Sequence, residues 1–249
     1  LLPFGIQAFK RVSLKKHCVP FLIVALCGNL FPAFLFTYAE TSISSGFTGM
    51  LNSMTPVFVI FIGFGFFKIK MTYSQILGSA IGSSGVISLL YFGKAFSLNG
   101  DWKHIFAVVL ATMCYAISLS VIRYKLGSYK SVDIAAIAFL LLLPPSLTIF
   151  ITEHTWSVFE TKEHAWNSFV AISILGIIGT AFALFLFNNI IKNTSALFAS
   201  SVTYFIPIVA VFIGFFFGER ISAYQILSML VVLLGVFVAN SKRDKKVLD

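Results

Sequence analysis

Residues Pro56–Lys68 read "PVFVIFIGFGFFK", and residues Pro207–Glu219 read "PIVAVFIGFFFGE". The proline, the Phe-Ile-Gly-Phe core and the following aromatics recur 151 positions apart, yet one copy closes on lysine and the other on glutamate. At the same offset Gly28 meets Gly179, Phe34-Leu35-Phe36 meets Phe185-Leu186-Phe187, Ser44 meets Ser195 and Phe47 meets Phe198. After Lys68 the offset falls to 150: Gln75-Ile76-Leu77 meets Gln225-Ile226-Leu227, and Gly85-Val86 meets Gly235-Val236. Proline, glycine and serine stay in register across three apolar segments, which marks an internal repeat.

The composition says where such a repeat can live. Hydrophobic residues make up 58% of the 249, charged residues 11%, and the mean hydropathy is +0.95. That charged share is less than half of what soluble domains carry. Uncharged runs near the bilayer-crossing length of about 20 residues predict eight helices: Val19–Ala39, Ser45–Phe67, Ser74–Phe92, His104–Ile122, Ile134–Thr152, Trp166–Ile191, Ser195–Gly218 and Ser222–Asn240. Membrane-embedded backbone must satisfy itself, and these runs are too long and too uniform for barrel strands. The net charge of +9 sits in short clusters between spans, the pattern of membrane topology rather than of a nucleic-acid surface. Cys18, Cys27 and Cys114 share no metal or disulfide spacing and read as small buried hydrophobes.

Placing the amino end in the cytoplasm puts Lys10, Arg11, Lys15, Lys16, Lys68, Lys70, Arg123, Lys125, Lys130, Lys192, Lys242, Arg243, Lys245 and Lys246 inside, fourteen of the eighteen basic residues. Only Lys94, Lys103, Lys162 and Arg220 fall outside. The bias orients the chain in a cell membrane with both termini cytoplasmic. Lys68 then ends its helix inside and Glu219 ends the matching helix outside, so the two copies are inverted. The last three helices repeat the first three, and the two between them lack upstream partners. Each full repeat is therefore expected to have five helices, an odd number that forces inversion. The opening "LLPFGIQAFKRVS" reads as the tail of a further helix, and the expectation is a ten-helix protein of which eight spans are present. The fold class is an all-α polytopic membrane bundle of inverted five-helix repeats.

At "FNNIIKNTSALFASSVTYFIP" (Phe187–Pro207), "GERIS" (Gly218–Ser222) with Gln225 and Gly235, and "CYAISLSVIRYK" from Cys114, the chain resembles the EamA-type transporters of the drug/metabolite transporter superfamily. The resemblance implies an incomplete first EamA repeat over residues 1–100 (the tail of helix 2 and helices 3–5), a second over 101–241 (helices 6–10), and a basic cytoplasmic tail over 242–249. It implies a permease that moves small metabolites or drugs, such as amino acids, across the cytoplasmic membrane, often as efflux. Lys68 departs from the family's glutamate at that corner. The alternatives are a non-functional truncated remnant and an intramembrane lipid-handling enzyme.

No GxSxG, HExxH, paired intramembrane carboxylate or Gly-rich phosphate loop occurs, so no catalytic residue, metal or cofactor is expected. The leads are uncharged polar residues inside the spans. Asn29, Asn52, Thr55, Tyr115, Asn188, Thr203 and Tyr204 are the substrate-cavity candidates, against the ordinary alternative of interhelical hydrogen bonding. Asn52 and Tyr204 stand out because each lies close before a repeat proline. Pro56 and Pro207 are the helix-bend or gating candidates, since proline leaves a helical carbonyl without its donor. Pro144-Pro145 is expected to break its helix. Gly78, Gly82 and Gly85 share one helix face, for packing inside the bundle or, alternatively, for a homodimer seam. The expected partners are a small-molecule substrate and the lipid bilayer, with no nucleic acid.

Overall fold

The computed structural model describes residues 7–8, 11–12, 14–43, 45–92, 102–153, 157, 165–206, 208–209 and 222–240. Every regular element among them is helical: α1 (His17–Glu40), α2 (Ser45–Asn52), α3 (Thr55–Phe67), α4 (Tyr73–Phe92), α5 (Trp102–Lys125), α6 (Ser131–Thr152), α7 (Ala165–Asn193), α8 (Ala196–Ser200, continued by a 3-10 turn Ser201–Tyr204) and α9 (Ala223–Asn240). Four of them, α1, α5, α6 and α7, are long and apolar enough to cross a membrane. With α4 and the shorter apolar helices they make a polytopic helical membrane protein.

Local chemistry sets the ends. The sequence "TYSQ" opens α4 as a capping box. The Thr72 hydroxyl accepts from the Gln75 amide at 3.3 Å, and the Gln75 side-chain oxygen accepts from the Thr72 amide at 2.9 Å. "SAYQ" at Ser222–Gln225 carries the same signature, which explains why glutamine is kept in both copies. Ser195 caps α8 by accepting from the Phe198 amide at 3.0 Å. Lys68 ends α3 in the left-handed region, with φ 54°, and its amide returns to the Gly63 carbonyl.

The helices fall into two units, residues 27–120 with 195–249, and residues 1–26 with 121–194. In the first unit, α4 and α9 form the tightest pair. Gly78 lies against Ala239, Gly82 against Gly235, and Gly85 within 2.8 Å of the Val232 amide, measured from where a Cβ would sit. Ser88 and Ser228 share a hydrogen bond at 2.9 Å, and the rings of Phe92 and Tyr224 stack at 4.8 Å. Partner numbers fall on one helix as they rise on the other, so the pair is antiparallel. The glycine stripe is therefore used within the chain, where missing side chains let two backbones touch. Val86, Tyr204 and Val232 fill the core beside this pair, with Leu51 and Ile208 packed on them.

In the second unit, α6 packs on the amino-terminal part of α1 and on the carboxy-terminal half of α7. Its buried face runs from Ile134 to Ala138 and includes Leu142. Contrary to the expected break, α6 continues through Pro144 and Pro145. Two adjacent prolines remove two amide donors, but a membrane helix holds its remaining ladder because no water competes for it. Hydroxyls reinforce the following turn: Thr148 donates to the Pro144 carbonyl at 3.0 Å and Thr152 to the Thr148 carbonyl at 3.0 Å.

The predicted single span Ser45–Phe67 is two helices. Ser53 and Met54 form a turn between α2 and α3, and Pro56 sits in the first turn of α3. There its fixed φ and absent N–H suit a helix start. Pro56 thus begins a new helix rather than bending an old one. Pro207 and the remainder of its predicted span, 210–218, lie outside the described residues.

Candidate functional site

The turn between α2 and α3 falls, under the repeat, on the 3-10 turn that follows α8. Asn52 and Ser53 correspond, 151 positions on, to Thr203 and Tyr204 in that turn, after which Phe205, Ile206, Ile208 and Val209 are again helical. Pro56 lies four residues beyond Asn52 and leaves Asn52 O without the amide that a regular helix would supply, whereas Thr203 O accepts from the Phe205 amide. Hydroxyls reach both carbonyls. Thr55 Oγ1 donates to Asn52 O at 2.5 Å. Ser53 Oγ donates across to Thr203 O at 2.8 Å and lies 3.1 Å from Gly49 O. The α2–α3 break therefore closes on itself through Thr55, and its Ser53 also reaches the matching 3-10 turn.

Tyr204 occupies the position equivalent to Ser53, but its longer side chain reaches past the break. The ring lies on Gly82, where a Cβ would come within 3.0 Å, and the phenol donates to Ser79 O at 3.2 Å with Ser83 Oγ at 3.4 Å. Tyr204, Ser53 and Thr55 are fully buried, while Asn52 and Thr203 are half-buried. Asn52 Oδ1 sits 3.3 Å from Thr55 Oγ1. The hydroxyls of Thr48 and Ser79 are buried in this unit with no hydrogen-bond partner.

The other candidates are placed elsewhere. Tyr115 on α5 faces Phe36 on α1, ring centroids 5.7 Å apart. Asn29 lies in a π-helical turn of α1, Leu26–Leu30. Its repeat counterpart in α7 is also π-helical, Leu175–Phe182. Such turns insert an extra residue, widen the backbone and gather at functional sites. Asn188 is buried on α7 in the second unit. The structure thus brings Asn52 against Thr55 and, through Ser53, this turn against Thr203.

Within the second unit, α6 and the π-helical turn of α7 flank a cavity of about 580 Å³. Phe139, Leu143, Leu147, Phe150 and Ile177 line it, and Ser146 supplies the hydroxyl among its lining residues. Its walls suit an apolar body.

Two ionisable side chains are more buried than their place at helix ends suggested. Asp133, in the first turn of α6, is 5% exposed, with Arg11 Nη1 at 4.0 Å. His104, near the start of α5, is 8% exposed, stacks on Tyr38 at 4.5 Å and lies 3.2 Å from Ser42 Oγ. These contacts also join like with like. Arg11 to Asp133, His17 to Tyr129 (2.8 Å) and Arg123 to the Lys192 carbonyl (2.5 Å) each link segments that the charge bias assigns to one side of the membrane. Ser42 and His104 link segments assigned to the other.

The EamA-like transporter family model matches residues 1–91 and 102–241. "Uncharacterized transporter YoaV" of Bacillus subtilis (strain 168) is 24% identical over 234 residues, covering 92% of this chain and 78% of that protein. "Uncharacterized inner membrane transporter YedA" of Escherichia coli (strain K12) is 26% identical over 248 residues, covering 96% of this chain and 78% of its own length. An archaeal "Uncharacterized transporter" from Archaeoglobus fulgidus is 25% identical over 235 residues, with 94% and 81% covered. A solved crystal structure, described only as that of a protein, shares the fold with a TM-score of 0.64 at 15% identity, covering 96% of this chain and 85% of that one.

Proposed function

The chain belongs to the EamA-like transporter family, and from that premise we propose that it is a secondary exporter of small organic metabolites or drugs, with amino acids as the leading class, working by alternating access. The single observation that carries this reading is the helix break at Ser53–Met54, which lies against the 3-10 turn at its repeat counterpart. Discontinuous helices in inverted repeats leave main-chain oxygens free of the helical ladder near the middle of the membrane, where transporters bind their cargo. The antiparallel pairing of α4 with α9, which are repeat counterparts, supports inversion. The two repeats over residues 1–100 and 101–241, with a basic cytoplasmic tail after them, are part of the same proposal.

Asn52 is the cavity residue of this reading. It is half-buried at a break, carries both donors and acceptors, and uses one oxygen locally. Tyr204 serves as the neighbouring wall, seated on α4. Pro56 opens the half-helix that rearranges about this break.

The test compares everted membrane vesicles from cells expressing the chain with vesicles from cells lacking it. Uptake of a panel of labelled amino acids is followed with and without an imposed proton gradient. The expected result is saturable uptake of at least one compound, reduced about tenfold or more by Asn52→Ala at unchanged membrane abundance, the scale of one lost buried polar contact. Equal uptake in both vesicle types would overturn the transport reading. Losses of abundance that match the losses of uptake would return Asn52 to a packing role.

A further inference from the structure

We propose that Arg11 and Asp133 form the charged head of a binding site for an amino acid zwitterion with an apolar side chain, whose body lies in the cavity between α6 and α7. All of these residues belong to the second unit. None of them is at the α2–α3 break, so the site goes beyond the transport reading and does not rest on it.

Asp133 is buried in the first turn of α6, while Arg11 beside it is half exposed, with side-chain exposures of 8% and 46%. The helix dipole favours an acid in that turn, but it asks for neither burial nor an arginine. Arg11 Nη1 stands 4.0 Å from Asp133 Oδ1, beyond the about 2.7–3.2 Å of a hydrogen bond, so the two attract by charge alone. Arg11 Nη2 donates to Gln7 Oε1 at 2.8 Å, and the guanidinium has further N–H groups to offer. Among the described residues the Asp133 carboxylate accepts no hydrogen bond. A buried carboxylate without donors is costly, and an ammonium group supplies N–H donors with the matching charge.

The pair heads the cavity. Asp133, Ala136, Leu140, Leu143, Leu147 and Phe150 follow one another at steps of three and four, so they form a single stripe of α6. All but Asp133 line the cavity of about 580 Å³, as does Ile177 from the π-helical turn of α7. Asp133 stands one turn before Ala136, their Cβ atoms about 5–6 Å apart. A ligand lying along this stripe meets charge at one end and apolar side chains along the rest. The volume falls within the roughly 300–1,000 Å³ of small-molecule sites.

Charge balance selects the ligand. Arg11 and Asp133 together are neutral. A carboxylate alone would draw Arg11 away and strand the buried Asp133, the costlier partner to leave unpaired. An amine alone would pair with Asp133 and leave the fork of Arg11 unused. A zwitterion meets both: its ammonium donates to Asp133, and its carboxylate accepts from Arg11, whose planar fork suits carboxylates. The apolar walls then favour an aliphatic or aromatic side chain over a polar one.

Tritiated L-leucine is equilibrated with the full chain in lipid nanodiscs, and unlabelled compounds compete. The expected result is saturable binding that empty nanodiscs lack. Isoamylamine and 4-methylpentanoate each keep the side chain and one charge, and glycine keeps both charges without the side chain. All three should compete about tenfold or more weakly than leucine. Asp133→Asn and Arg11→Gln should each raise the half-saturating concentration about tenfold or more. Leu143→Trp, which fills the cavity, should abolish binding and is the second variant, should Asp133→Asn fail to fold. Absence of saturable binding overturns the proposal. So does competition by isoamylamine equal to that by leucine, and so does unchanged binding in any of the folded variants. Because binding is read without transport, failure here leaves the vesicle experiment intact, and the reverse also holds.

Discussion

Ser53 and Tyr204 hold equivalent positions and do different work. The short hydroxyl spans the seam to Thr203 O, while the phenol overshoots it to Ser79 O on α4. Removing each should therefore have unequal effects. Tyr204→Phe deletes one partner of a bond whose acceptor, Ser79 O, remains inside a helix, and should cost about 0.5–1.5 kcal/mol. Ser53→Ala removes a fully buried hydroxyl that reaches two carbonyls, Thr203 O and Gly49 O, and should cost more, about 1–3 kcal/mol. Chemical unfolding of both variants in the same detergent checks the order, and a Tyr204→Phe loss exceeding that of Ser53→Ala would contradict it. The sequence points to Asn52 and Tyr204 because each lies close before a repeat proline. It does not say which carbonyl Ser53 reaches, since one serine in an apolar helix looks like any other until its burial and acceptor are known.

Among the elements, glycines divide by what faces them. Gly235 touches Gly82, so Gly235→Ala drives a methyl group into backbone and should destabilise by about 1–3 kcal/mol, as overpacking does. Gly65 on α3 has nothing within 4 Å of an added Cβ. Gly65→Ala should instead gain about 0.5–1 kcal/mol from helix propensity. Opposite signs in an unfolding assay are the expected outcome, and equal effects would mean that α4 and α9 do not meet at Gly235. Helix existence could be read from hydropathy alone, but helix continuity could not. Pro56 starts a helix, whereas Pro144 and Pro145 are carried within one. The difference lies in neighbouring groups that sequence periodicity does not record: a polar Asn-Ser turn before Pro56, and hydroxyl support from Thr148 and Thr152 after Pro145. The paired π-helical turns of α1 and α7 were equally hidden, since one extra residue per turn changes no composition.

For the whole molecule, the register of the repeat and the lysine and arginine bias said most. Inversion followed from parity, and the structure pairs α4 with α9 antiparallel as inversion requires. Which face is cytoplasmic is a matter for labelling. In a background without Cys18, Cys27 and Cys114, cysteines at Ser42 and Ser157 should react with an impermeant thiol reagent in intact cells, while cysteines at Ser128 and Ser241 should react only after permeabilisation. The reverse pattern would overturn the orientation.

The α4–α9 contact is reciprocal: Gly85 meets Val232, and their repeat counterparts, Gly235 and Gly82, meet each other. For a transporter this reciprocity sets an energy balance. Exchanging the conformations of two inverted repeats turns an inward-facing state into an outward-facing one. Two identical repeats would hold those states at equal free energy, half the molecules in each. Any resting preference must come from positions where the copies differ, and at these turns they include Asn52 against Thr203, Ser53 against Tyr204 and Thr55 against Ile206. One hydrogen bond present in a single state, worth about 0.5–1.5 kcal/mol, biases the populations by a factor of about 2 to 13. The direction a family member faces at rest can thus be retuned by single substitutions at mismatched repeat positions.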